Sequence, residues 1–186
     1  MGTIDHLVAR FDWIDDRFLI VQRLDRTQRH AELLVVDADT GLPRARRQED
    51  STAWVEVVNE FEWTEPGRTL LYSTEQDGWR RPVAVSLDGA PEKPLTSGPI
   101  DAIQVLGADA KSGFAYFTAS PENATQAYLY RARLDGSGRA ERLSPANQPG
   151  THAYELSPDR RYAIHTHSRL EMPPTVDLVA LDAHRH

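Results

Sequence analysis

The chain contains no cysteine, which excludes disulfide staples, thiolate metal sites and a cysteine nucleophile. Lysine is nearly missing too: of 21 basic residues only Lys93 and Lys111 are lysines, and the rest are arginines. Those arginines are scattered among 28 carboxylates, so the bias reads as a GC-rich source genome rather than a phosphate-binding surface. A formal charge of −7 argues against general nucleic-acid binding, which needs a basic face. No apolar run exceeds a handful of residues, too short to cross a bilayer, so no membrane partner is expected. The start, MGTIDHLVAR, lacks a basic patch followed by an apolar stretch and does not read as a secretory signal. Cytoplasmic and periplasmic locations both stay open.

What is present is strand after strand. A chain of 186 residues, 40% hydrophobic and 26% charged, suits one globular domain or a piece of a larger one. Short alternating runs rich in β-branched and aromatic residues recur: RFLIVQRL (17–24), AELLVVDADTG (31–41), RTLLYST (68–74), RPVAVSLDG (81–89), GFAYFTAS (113–120) and AYLYRARLDGSG (127–138). Asp39-Thr40-Gly41, Asp88-Gly89 and Asp135-Gly136 close hairpins at comparable places, where positive φ or an Asx turn is needed.

These runs form a repeat. FDWIDDRFLIVQ…LLVVDADTG is followed by FEWTEPGRTLLYS…VAVSLDG, then IQVLGADAKSGFAYFT…YLYRARLDG, then YELSPDRRYAIHT…VDLVALDA. Trp13, Trp63, Leu106 and Leu156 hold equivalent places, 43 to 50 residues apart, the period of a propeller blade. Each unit reads as an inner strand, a polar corner, a central strand, a third strand and a weak outer strand, although the last unit shows no clear fourth strand. The expected fold is all-β, about four four-stranded antiparallel blades of a β-propeller, spanning roughly 8–50, 51–98, 99–147 and 148–183. Within it Asp15-Asp16 fills the corner slot taken elsewhere by TEPG, ADAKSG and SPDR, which assigns the pair to turn chemistry and not to a carboxylate site.

The blade motifs resemble those of the N-terminal propeller of dipeptidyl peptidase IV-like enzymes, in the prolyl oligopeptidase superfamily. Trp13, Arg26, Gln28 and Asp37 to Gly41 match one blade of that family, AWVEVVNEFEW (53–63) its Trp-Val lead into the next blade, and STEQDGWRRPVAVSLDG (73–89) its Glu-x-Asp-Gly-Trp hairpin. GTHAYELSPDRRYAIHTHSRLEMPPTVDLVALD (150–182) resembles the last blade before the peptidase domain. The resemblance implies that this chain is a fragment, the second half of an eight-bladed ring. It implies partners in the remaining blades and an α/β-hydrolase domain, with release of N-terminal Xaa-Pro dipeptides from a peptide substrate by the full-length enzyme. It places Trp54, Glu56 and Asn59 as substrate-cavity candidates, although Glu56 to Asn59 stands where the family carries an Arg-Phe-Arg run. DWIDD imitates the family's double-glutamate motif only superficially, because the aromatic and glutamates that should follow the tryptophan are not there.

No catalytic residue is assigned. No serine lies between glycines at nucleophile-elbow spacing, and Ser73, Ser120 and Ser168 close strands. His165 and His167 share one face of a strand and His152 lies upstream, but nothing local supplies a complete ligand set, so no metal and no cofactor is expected. His184 and His186 read as tail residues, and Met172-Pro173-Pro174 as an extended loop after Glu171. Asn123-Ala124-Thr125 fits the glycosylation pattern, which matters only in a secreted eukaryotic protein. Trp54, Trp63 and Trp79 read first as packing residues between blades, with Trp54 having the best functional claim of the three. On this reading the chain alone is not a peptidase. The alternative is a stand-alone binding module that self-associates, a homodimer closing the ring, because an open half-ring leaves strand edges and blade faces bare.

Overall fold

The computed structural model describes residues 5–58, 61–65, 68–182 and 184. Its strands follow one another in four antiparallel sheets. The first holds β1 (His6–Trp13), β2 (Phe18–Asp25), β3 (His30–Asp37) and β4 (Pro43–Asp50). The second holds β5 (Glu62–Glu65), β6 (Thr69–Thr74), β7 (Arg81–Ser86) and β8 (Lys93–Pro94). The third holds β9 (Ala102–Asp109), β10 (Phe114–Ala119), β11 (Tyr128–Arg133) and β12 (Glu141–Arg142). The fourth has three strands among the described residues, β13 (Thr151–Leu156), β14 (Tyr162–Arg169) and β15 (Met172–Ala180). Each sheet is a meander in which consecutive strands pair, the arrangement of a propeller blade. The all-β, bladed class expected from the repeat is the one the chain adopts.

Corners and hairpins are set by local side-chain bonds. Asp15 turns the chain between β1 and β2 by accepting hydrogen bonds from the backbone N–H of Arg17 at 2.8 Å and of Phe18 at 2.7 Å. This is an Asx turn, so the first carboxylate of the pair is architectural. Asp37 likewise accepts from Asp39 and Thr40, and Gly41 completes that turn at φ 69°, a left-handed conformation cheap only for glycine.

Central strands alternate in the simplest way available to a two-faced sheet. In β6, Leu70 and Tyr72 join Ile20, Leu33 and Val35 of the first blade, while Leu71 between them joins Ala115 and Phe117 of the third. In β10, Ala115 and Phe117 turn to the second blade, and Tyr116 turns to Tyr154, Ala163, Val179 and Leu181 of the fourth. The middle blades are thus buried on both faces.

The outer faces of the end blades differ. Paired positions share a face, so Phe11, Val21 and Leu34 form one row across the first sheet, and Trp13, Leu19 and Val36 the next. Phe11 and Trp13 are exposed. On the last blade Tyr162, Ile164, Val176 and Leu178 form a comparable exposed apolar face.

One polar contact spans three blades. Arg160, at φ 56° in the β13–β14 corner, lays its guanidinium over Gly107 of β9 and reaches Glu62 of β5 at 3.5 Å. Gly107 sits at φ 138°, a conformation that a residue with a Cβ rarely adopts, which is why β9 carries a glycine there. The MPP segment is a correction: Met172, Pro173 and Pro174 begin β15 instead of forming a loop, with the turn at Leu170-Glu171. Pro173 and Pro174 fall in the irregularity between the His167–Thr175 and Arg169–Met172 pairs of this outer strand, where neither is paired with β14, so their missing N–H donors leave no ladder bond unmade.

Phe117 is fully buried between the second and third blades, so Phe117→Ala should lower unfolding stability by about 3–5 kcal/mol. Urea denaturation checks it; a loss under about 1 kcal/mol would mean that this seam repacks freely.

Candidate functional site

A cleft of about 890 Å³ opens where three segments meet: the link from the first to the second blade, the β6–β7 hairpin and the start of β9. The link is irregular yet fixed at successive points. The Ser51 hydroxyl accepts from the N–H groups of Ala53 at 3.2 Å and Trp54 at 3.0 Å, a local turn of the kind serine favours. Val55 donates its N–H to the Gln28 carbonyl at 2.7 Å and buries its side chain against Leu24 and Ala31. Val58 donates its N–H to Gln22 Oε1 at 3.2 Å.

Gln22 is fully buried, and its Nε2 donates to the Tyr72 hydroxyl at 3.0 Å. One amide therefore ties the first blade, the second blade and the link. Burial pushes the Tyr72 phenol above its ordinary range, with the Glu49 carboxylate adding to it, so Tyr72 stays a neutral partner.

Below the link lies a second polar tie. Glu49 accepts from the Thr74 hydroxyl at 2.9 Å and the Glu75 N–H at 3.1 Å, while Arg47 donates to Thr74 at 2.7 Å and pairs with Glu92. Arg47 also lies 5.5 Å above the Tyr72 ring. A buried charge survives only when paired and hydrogen-bonded, and here the partners come from two blades.

Fixing the link in this way leaves Thr52, Ala53, Trp54 and Glu56 exposed. Trp54 is 54% exposed, and both it and Glu56 line the cleft. Four of the five charged residues on the lining are carboxylates: Asp50 pairs with His30 at 2.7 Å and Glu75 with Arg80 at 2.7 Å. Glu56 makes no hydrogen bond or ion pair among the described residues. The cleft therefore offers an aromatic platform beside one free carboxylate, suited to an extended cationic or peptide-like ligand.

Two of the three sequence-chosen cavity residues, Trp54 and Glu56, come together here, while Asn59 lies outside the described residues. The packing reading holds for Trp63, which packs on the seam between the first and second blades. Trp54 and Trp79 are both exposed, Trp54 on the cleft and Trp79 on the β6–β7 hairpin outside it. Gln22 and Arg47 were missed, since a glutamine inside FLIVQRL and an arginine among RARRQED give no sign of burial.

His152, His165 and His167 do meet, stacked in the seam between the third and fourth blades. No group of metal-binding geometry occurs among the described residues. His184 is a correction: it is buried and bonded through Nε2 to the Tyr154 hydroxyl at 2.8 Å, because the chain after β15 folds back on this seam. His186 lies outside the described residues. No helix among the described residues is long and apolar enough to cross a membrane.

Comparison with known proteins gives a consistent result. The family model described as the dipeptidyl peptidase IV (DPP IV) N-terminal region matches residues 1–174. The chain is 22% identical over 187 residues to a probable dipeptidyl-aminopeptidase B of Aspergillus clavatus, covering 91% of this chain and 20% of that protein. It is 24% identical over 189 residues to its Emericella nidulans counterpart, with the same coverage. The crystal structure of Porphyromonas gingivalis dipeptidyl peptidase 4 superposes with a TM-score of 0.88 at 23% identity, over 99% of this chain and 26% of that one. The chain spans about a fifth of the length of these curated relatives.

Gln22→Leu removes the acceptor for Val58 and the donor to Tyr72 at little change in volume. It should cost about 1–3 kcal/mol and raise amide hydrogen exchange at Val55 to Val58 while the β10 and β11 amides stay protected. Unchanged exchange in the link would show that Val55 alone holds it.

Proposed function

Because the chain belongs to the dipeptidyl peptidase IV N-terminal region family, we propose that it is a non-catalytic propeller portion of a serine-type dipeptidyl peptidase. The full-length enzyme would release Xaa-Pro dipeptides from peptide N-termini. This portion would dock the α/β-hydrolase domain and gate the approach of substrate. The cleft carries the reading: Trp54 and the free Glu56 stand at one end of the blades, on a link held by buried polar ties. A carboxylate-rich rim attracts the ammonium of a peptide N-terminus, and an exposed indole accepts an apolar side chain. Asn59 follows in the same link and belongs to the proposed cavity on sequence alone.

Catalysis requires a nucleophile that this chain does not supply, so the isolated chain should read at background on an Xaa-Pro reporter. Turnover abolished by a serine-directed reagent would overturn that. In the full-length enzyme, Glu56→Gln should raise KM about two- to fivefold, the scale of a single exposed ion pair, with kcat unchanged. A fall in kcat at constant KM would remove Glu56 from ground-state binding.

A second reading, a self-associating binding module, rests on the bare apolar faces of the end blades, Phe11 and Trp13 on one and Ile164, Val176 and Leu178 on the other. Such faces seek a partner. On either reading the isolated chain should scatter light as a species larger than 20.9 kDa, and Phe11→Asp with Leu178→Asp should return it to a monomer. A wild-type chain monomeric at every concentration would overturn self-association.

A further inference from the structure

The seam between the third and fourth blades is unlike the other two. Around the small apolar contacts of Tyr116, Leu129, Ala163 and Val179 it stacks imidazoles. The His152 ring lies 5.0 Å from His165 and 4.4 Å from His167, centroid to centroid, and His184 meets His165 edge-on at 4.7 Å. His152 and His165 are each 1% exposed.

The hydrogen bonds fix their protonation. His152 Nε2 lies 2.9 Å from the Gln148 carbonyl, which only accepts, so Nε2 carries the hydrogen. His152 Nδ1 is then a bare acceptor, and it lies 2.8 Å from His165 Nε2, which must donate. His165 Nδ1 is left as a buried lone pair with no partner among the described residues. His167 Nε2 donates to the Pro149 carbonyl at 3.1 Å. Every proton in this chain of bonds is accounted for with both His152 and His165 neutral.

A further proton has no good place. On His152 Nδ1 it would oppose the N–H of His165 at 2.8 Å. On His165 Nδ1 it would create a buried cation with nothing to accept its hydrogen. The surroundings do not compensate. From the third blade the seam receives Tyr128, 5.4 Å from the His152 ring, and Arg142, 3.6 Å above Tyr128. From the fourth blade and the chain after it come Tyr154, His167 and His184, and the carboxylate facing His165 among the described residues is Asp177, its cross-strand neighbour on β15.

We propose that this seam is an acid-opened joint: the imidazole stack holds the fourth blade on the third while it is neutral and releases it when protonated. Burial first, and then neighbouring positive charge, hold His152 and His165 down at about 4, against about 6.5 for an exposed imidazole. A histidine neutral when folded and protonated when released makes closure strongest above about pH 6.5. Closure then weakens as pH falls toward 4 and weakens no further below that.

The test is amide hydrogen exchange by NMR on this chain at pH 7 and pH 5, corrected for intrinsic rates. Protection at Tyr154, Leu156 and Ala163 to His167 should fall by about tenfold or more for each imidazole, while Leu70 to Tyr72 in the second blade stay protected. An equal fall in both blades would mean general acid unfolding, and no fall would mean an indifferent seam; either overturns the proposal. His165→Gln should remove about a tenfold share of the response, and a full response in that variant overturns it as well. Should the variant not fold, the wild-type imidazole shifts decide: His152 and His165 neutral at pH 5 is the expected result, and titration near 6.5 is the contrary one.

Discussion

Everything in this fold depends on one demand: a middle blade must be apolar on both faces of the same strands. Leu70, Leu71 and Tyr72 are consecutive, and each is buried against a different sheet from the residue before it. A half-buried sheet tolerates polar residues at every second position; these strands cannot. Fully burying one such side chain is worth about 1.5–3 kcal/mol. The seams therefore outweigh the two-residue outer strands β8 and β12, which add few ladder bonds. Blades hold each other, and the sheets follow.

The apolar demand leaves the polar ties to set angle and register between blades. Gln22 and Tyr72 join the first two blades through a single buried amide, and Arg47, Glu49 and Thr74 do so again nearer the hairpin. Arg160 reaches from the fourth blade over Gly107 to Glu62 in the second. Such bonds add little net stability each, but leaving one buried partner unmade costs about 1–3 kcal/mol. They penalise any slip of one blade against the next, and that is how an irregular link such as Ser51 to Val58 keeps one course beside the cleft.

Much of this was legible in the sequence, and the reason is periodicity. Two-residue alternation closed by Asp-Gly and Asp-Thr-Gly marks strands and hairpins directly, and the recurrence of Trp13, Trp63, Leu106 and Leu156 in the first strand of each sheet carried the blade count. The site was legible only in part. Trp54 and Glu56 were chosen from a family resemblance and do line the cleft, but the exposure of Trp54 contradicts what an indole ordinarily signals. Gln22 and His184 were invisible, since burial of a polar side chain depends on partners 50 and 30 residues away. The prolines of β15 misled because their cost depends on whether they fall where the strand is paired, which only register decides.

The three seams divide the chemistry unequally. The first carries the buried charged tie, the second packs apolar side chains and is crossed by the Arg160–Glu62 contact, and the third is built on imidazoles. A charged tie between arginine and carboxylates keeps its sign through the neutral range, and an apolar seam has no sign to lose. Imidazole is the one side chain whose ordinary titration falls where cellular compartments differ. Placing the buried stack at the last seam, and not at the first, leaves the seam between the first two blades without a buried imidazole. The fourth blade, bare on its outer face, is the part of this chain whose attachment pH can change.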